Sequence, residues 1–262
     1  MRLSLLSLID SLIAEPPEEK RVAFLGERPF AHRGLHDHHV IENSRAAFLA
    51  AIEAGHGIEL DVQAGAEGEA FVFHDRTLER LTETTGEFAK RLGPELDQIL
   101  LKGSTETIPR LAEILRLVAG RVPVLIEVKA PGALVGVLCL AVRRALEGYR
   151  GNVAIMSFNP AVGRWFHDHA PRFVRGLVVT EQADSGRFRS VRGRVTRHIS
   201  LWRARPEFLA YDIRDLPSRF AGQQRARGLK ILTWTVRTAQ QERVAAACAD
   251  EVIYEKPPTG SI

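Results

Sequence analysis

The feature that most constrains this chain is a set of eight short apolar runs, rich in β-branched residues and separated by longer stretches, most of them with helical spacing. The runs are Phe30-Ala31, Ile58–Val62, Val122–Val128, Val153–Ser157, Phe173–Val179, Phe208–Tyr211, Lys230–Val236 and Glu251–Tyr254. Runs that are apolar on nearly every residue predict strands buried on both faces, the environment of a parallel sheet covered by helices. Helices are predicted at Asn43–Ala54, at Leu111–Val118 with Pro109 in the first turn, and at Leu134–Leu146, Pro160–His169, residues 216–227 and Ala239–Ala247. Gly55 and Gly57 close the first of these. The short run Ala70–Phe73 counts as an extension of the second strand. Eight strands in this length predict an α/β fold, a (β/α)8 TIM barrel, in preference to an open doubly wound sheet. The barrel is predicted over residues 28–262, with residues 1–27 as an N-terminal helix and lead-in.

The chain has 262 residues, 45% hydrophobic and 26% charged, an ordinary globular composition that can bury a core without staples. Cys139 and Cys248 lie far apart and fit no metal spacing. They read as small packed residues in a reducing compartment, which places the protein in the cytoplasm. Within the net charge of +4, seven arginines crowd residues 187–205 (Arg187, Arg189, Arg192, Arg194, Arg197, Arg203, Arg205) with no acid among them. Such a run attracts anionic substrates, a membrane surface or nucleic acid. No interleaved aromatic motif accompanies it, so nucleic acid is excluded as a partner and the run reads as a solvated loop. Leu5, Leu8, Ile9, Leu12 and Ile13 have helical spacing, while Asp10 and Pro16-Pro17 interrupt what a signal peptide needs. A short amphipathic helix is predicted there, packed on the barrel or touching a partner. No run reaches the roughly 20 apolar residues that span a membrane, and membrane contact is not favoured. No motif bears on oligomeric state.

In a β/α barrel the reactive groups sit at the C-terminal ends of strands. The first strand ends in His32-Arg33-Gly34, and Arg offers a planar fork of donors to phosphate oxygens. The second ends in Glu59-Leu60-Asp61, whose two carboxylates share a face because side chains alternate along a strand. They repel unless something positive lies between them. A hard divalent cation answers this with oxygen ligands, and Lys or Arg pairing is the alternative. Glu127 and Lys129 stand i and i+2 on the third strand, and His74-Asp75 follows Phe71-Val72-Phe73 near the same mouth. His36, His38 and His39 share a loop and read as exposed.

The run His32-Arg33-Gly34, Glu42-Asn43-Ser44 with Ala47-Phe48, Glu59-Leu60-Asp61-Val62, and His74-Asp75 with Leu78 and Arg80 resembles the glycerophosphodiester phosphodiesterase family. Its HRG, PENT-AF, E-x-D-V and HD-x-x-L-x-R motifs occur in this order. Ile108-Pro109-Arg110-Leu111, Ile126-Glu127-Val128-Lys129, Ser157-Phe158 and Trp234-Thr235-Val236 resemble its later elements, so the likeness covers roughly residues 30–257. Ile41 and Ser44 replace the usual Pro and Thr, and Tyr254-Glu255-Lys256-Pro257 replaces the usual Thr-Asp before proline. The resemblance implies hydrolysis of a small-molecule glycerophosphodiester to glycerol 3-phosphate and an alcohol. It implies that Glu59, Asp61 and Glu127 bind a divalent cation, Mg²⁺ or Ca²⁺ first and Mn²⁺ third. Arg33 and Lys129 would hold phosphate or glycerol oxygens, with Glu42, Asn43 and Trp234 on the substrate side. His32 and His74 would divide the acid and base work. An N-terminal helix cap is the alternative for Asn43. Two other readings are a barrel phospholipase cutting a lipid phosphodiester at a membrane, and a non-catalytic phosphate-binding barrel. The second would show a lost histidine or carboxylate, and all five are present.

Overall fold

Strands form where successive residues are apolar and both faces are covered, and helices fill the intervals. The computed structural model describes residues 5–182 and 191–255. In chain order these form α1 (Leu5–Ile13), α2 (Glu19–Val22), β1 (Phe30–Ala31), α3 (Arg45–Glu53), β2 (Gly57–Ala64), β3 (Ala70–Val72), α4 (Gly93–Leu96), α5 (Leu111–Val118) and β4 (Val124–Val128). There follow α6 (Gly136–Ala145), β5 (Val153–Ser157), α7 (Pro160–His169), β6 (Val174–Val179), α8 (Val191–Ala204), β7 (Phe208–Asp212), α9 (Arg219–Ala226), β8 (Lys230–Val236), α10 (Ala239–Cys248) and β9 (Glu251–Tyr254). Strands and helices alternate along the chain as in the expected (β/α)8 barrel. Two compact units are distinguished, Phe30–Val153 and one joining Met1–Pro29 to Ala154–Ile262.

In the unit Phe30–Val153, β2 pairs in parallel with β1 and β4, and its register sets Asp61 beside Glu127. Gly57 is required where β2 meets β1, because a Cβ there would stand 2.5 Å from the Phe30 ring. Ala70–Val72 is not an extension of the second strand. It turns back through Gly65–Gly68 and pairs antiparallel with the end of β2, Val62 against Val72. Phe73 stacks on Phe88 at 5.1 Å within a cluster of Phe71, Leu78, Leu96, Leu101 and Ile108, which anchors the loop leaving β3. Pro109 lies outside α5. Its carbonyl accepts from Val72 and Arg110 is still extended, so the helix starts at Leu111. The cap of α3 is Ser44, whose side chain accepts from Ala47 N. This removes the capping alternative for Asn43.

In the other unit, β5 to β9 run parallel in sequence order. One expectation is corrected here and one is met. The arginine-rich stretch is not a loop over residues 191–204, which form α8; Arg187 and Arg189 lie outside the described residues. Arg is a good helix former, and Leu201 and Ala204 give α8 an inner face. Asp10 lies within α1, the short helix expected at the N-terminus. It is wholly buried and accepts from His198 Nδ1 at 2.8 Å, Trp202 Nε1 at 2.7 Å and Gln224 Nε2 at 2.8 Å. Ala14 joins the apolar cluster formed by β6, β7, β8, α8 and α9. Burial pushes the Cys139 thiol up to about 12, as suits a packed side chain, while Cys248 is half-buried. Tyr254 is buried and Glu255 pairs with Arg237 at 2.6 Å; Lys256 and Pro257 lie outside the described residues.

Candidate active site

Alternation along β2 puts Glu59 and Asp61 on one face, and the β2–β4 register adds Glu127. All three are buried, with ligand oxygens within 4.8 Å of one another. Lys129, two residues beyond Glu127, brings Nζ to 2.6 Å from Glu127 Oε1 and 3.0 Å from Asp61 Oδ1. Arg33 Nε lies 3.2 Å from Asp61 Oδ2. Two cations therefore meet three carboxylates, and Glu59 Oε1 meets no hydrogen-bond donor among the described residues. Burial, reinforced by the Asp61 and Glu127 charges, holds the Glu59 carboxyl well above the ordinary range. Burial also raises Glu127, against the pull of Lys129. Burial pushes Asp61 up as well, yet Lys129 and Arg33 overcome it and hold Asp61 low. A buried, crowded, oxygen-only donor set with an unpartnered carboxylate oxygen fits a hard divalent cation.

The turn after β1 is built around this cluster. Arg33 and Asn43 both have φ of 57°, in the left-handed region. Asn tolerates that conformation, whereas for Arg it costs roughly 1–2 kcal/mol. Arg33 is held there by its N–H to Glu59 Oε2 at 3.0 Å and Nη1 to Glu42 Oε1 at 2.7 Å. Asn43 N donates to Arg33 O, and Asn43 Nδ2 to Asp61 Oδ2 at 3.1 Å. Gly34 (φ 82°) allows the turn to pass Ala47, which a Cβ would meet at 2.8 Å. His32 Nε2 lies 3.9 Å from Glu59 Oε2. His74 Nδ1 is 2.7 Å from Asp75 Oδ1, and burial, aided by Lys129 and Arg33, keeps the His74 imidazole below its ordinary value.

The profile of the glycerophosphoryl diester phosphodiesterase family matches residues 32–259. The chain belongs to that family. Membership makes it an enzyme, a phosphoric diester hydrolase. A glycerophosphodiester phosphodiesterase of Caldanaerobacter subterraneus is 30% identical over 87% of this chain and 94% of its own. Among solved structures, a phosphodiesterase of Oleispira antarctica in complex with the product sn-glycerol-3-phosphate superposes with a TM-score of 0.73. It is 21% identical, over 87% of this chain and 92% of that one. The glycerophosphodiester phosphodiesterase of Thermotoga maritima gives 0.65 at 24% identity, over 86% and 92%.

Of the residues expected at a phosphodiesterase site, His32, Arg33, Glu42, Asn43, Glu59, Asp61, His74, Glu127 and Lys129 all fall in the unit Phe30–Val153. Trp234 stands on β8 in the other unit, edge-on to Phe158, with Nε1 donating to Ala210 O. Sequence reasoning quoted Asp75 and Arg80 only as motif letters. Arg80 donates to both Glu42 oxygens, at 2.7 and 2.8 Å, and to Asp75 at 2.5 and 3.0 Å. A continuous polar chain, His74–Asp75–Arg80–Glu42–Arg33–Asp61, results. Gln63 was missed altogether, although it shares the parity of Glu59 and Asp61. Its Nε2 donates to Phe73 O and Asp75 O and so fixes the backbone on both sides of His74. His38 and His39 are exposed, and the described residues hold no second group of potential metal ligands.

Proposed function

We propose that this chain hydrolyses small glycerophosphodiesters to glycerol 3-phosphate and an alcohol, with His32 and His74 as its acid–base pair. The observation that carries the reading is the juxtaposition of the buried Glu59–Asp61–Glu127 cluster with Lys129, Arg33 and a histidine at each adjoining strand end. The product complex of the Oleispira antarctica relative supports the product assignment. Residues 28–262 serve as the catalytic domain and 1–27 as its lead-in.

Glu59, Asp61 and Glu127 would hold a divalent cation, Mg²⁺ or Ca²⁺ first and Mn²⁺ third. When bound, it neutralises charge growing on the phosphoryl oxygens. Arg33 and Lys129 supply fixed positive charge to the remaining oxygens, placed before reaction by their carboxylate partners. One imidazole takes the proton of the attacking oxygen, and the other gives a proton to the departing alkoxide. Glu42 and Asn43 act through Arg33 and Asp61, and Trp234 is assigned to substrate by its motif. Two unpaired cysteines are consistent with a reducing, cytoplasmic setting. No helix among the described residues is long and apolar enough to cross a membrane.

The test is release of glycerol 3-phosphate from a panel of glycerophosphodiesters with Mg²⁺, Mn²⁺ or Ca²⁺. His32→Ala and His74→Ala should each lower kcat on the order of 100-fold or more in a folded protein. Turnover retained by either variant removes that histidine from the mechanism.

A further inference from the structure

Helix α8 has two unlike faces. Leu201 and Ala204 enter the apolar cluster, His198 meets Asp10, and Arg197 lies 3.3 Å from Glu181. On the opposite side, at 3.6 residues per turn, Arg192, Val195, Ile199 and Arg203 fall within about 80° of one another. All four are exposed, Val195 by 39% and Ile199 by 52%, and so is Arg194 in the first turn. None of Arg192, Arg194 and Arg203 pairs with a carboxylate among the described residues. From Ser185 to Pro206 the sequence contains no Asp or Glu, so no neighbour along the chain neutralises them. Trp202, the nearest aromatic, is half-buried and tied to Asp10 through Nε1, which leaves no platform for stacked bases.

Two apolar side chains set between uncompensated arginines form the pattern of a helix that lies in a lipid interface. The apolar groups enter below the headgroups and the guanidinium groups meet lipid phosphates. With so little apolar area, charge dominates and attachment is confined to anionic surfaces. We propose that the outer face of α8 docks this protein on an anionic lipid surface. The chemistry of the substrate agrees. A glycerophosphodiester is a phospholipid stripped of both fatty-acyl esters, so the reaction that supplies it is an ester hydrolysis at a bilayer. This agreement rests on the proposed function, whereas the surface itself does not.

The test is sedimentation of the full chain with vesicles of phosphatidylcholine, with and without phosphatidylglycerol, at low salt. Binding is expected only to the anionic vesicles. Each arginine near such a surface contributes about fivefold in partitioning, so Arg192→Gln/Arg194→Gln/Arg203→Gln should weaken binding on the order of 100-fold. Val195→Ser/Ile199→Ser should weaken it less, and turnover of a soluble diester should be unchanged in both. If the triple variant fails to fold, Arg192→Gln and Arg203→Gln alone should each lose about fivefold. No binding of the unmodified chain, equal binding to neutral vesicles, or full binding by the variants overturns the proposal. Vesicle binding without diester turnover would instead sink the enzymatic reading and leave the docking face standing.

Discussion

His74 owes its posture to Asp75, Arg80 and Gln63. With Asp75 Oδ1 accepting at Nδ1, the proton of the neutral imidazole belongs on Nδ1, which leaves Nε2 for the proton transfer proposed above. Arg80 clamps Asp75 and Glu42 together, and Gln63 fixes the main chain on both sides of the imidazole. Asp75→Asn should therefore lower kcat about 10–100-fold with KM little changed, the usual weight of a partner that orients a reacting histidine. Arg80→Ala should act in the same direction, and Arg80→Lys should recover part of the loss. Steady-state kinetics on a soluble glycerophosphodiester separate the two constants, and an effect on KM alone would refute a positioning role. The sequence named Asp75, Arg80 and Glu42 through motifs but gave them no partners, because the contact between Glu42 and Arg80 spans 38 positions and is set by tertiary packing.

Among elements, α1 shows what a local reading leaves out. In the sequence Asp10 is only an interruption of an apolar run. In the fold it is the acceptor for three donors on α8 and α9, the buried His198 and Gln224 and the half-buried Trp202, and Arg227 adds bonds to the Asp10 and Ala14 carbonyls. Asp10→Ala would leave those donors without their acceptor and should cost about 3 kcal/mol, read by urea unfolding. Burial pushes the Asp10 carboxyl up, but the bonds from His198, Gln224 and Trp202 prevail and hold it below 3.8. A carboxyl lowered in the folded state stabilises fully above its unfolded value and loses that contribution as pH falls through the folded one. The stability gap between the parent and Asp10→Asn should accordingly be widest above pH about 4 and shrink in more acid solution. A gap independent of pH would show that Asp10 is not held ionised by its donors. Helix α8 is the companion case, since its charge run hid a helical period carried by Leu201, Ala204 and His198.

For the whole molecule, a cation held by the carboxylate cluster as proposed would tie stability to a ligand. Three buried acids crowd Lys129 and Arg33, and burial with mutual repulsion holds Glu59 and Glu127 above their ordinary range, a cost that a bound cation would relieve. A cation that binds only the folded chain stabilises it by about 2.7 kcal/mol at a hundredfold excess over Kd. For a protein of this size that amounts to several degrees in Tm. Differential scanning calorimetry of the chelated protein, with Mg²⁺, Ca²⁺ or Mn²⁺ restored, should show this rise, and Glu127→Gln should abolish most of it. An identical Tm with and without every cation would remove the metal from the site.

The sequence by itself determined which segments are strands, since apolar runs between helical intervals leave a chain few other ways to bury both faces of a sheet. It also determined the donor types at the strand ends: two imidazoles, three carboxylates, an arginine and a lysine. Tertiary structure decided their partners. The β2–β4 register set Asp61 beside Glu127, left-handed turns at Arg33 and Asn43 brought Glu42 and Asn43 to the cluster, and burial turned Asp10 from an interruption into an anchor. Local periodicity reports how a segment shields its own backbone. Which polar group meets which is settled by the cost of leaving any of them buried and unpaired, and that cost depends on residues up to some 200 positions away.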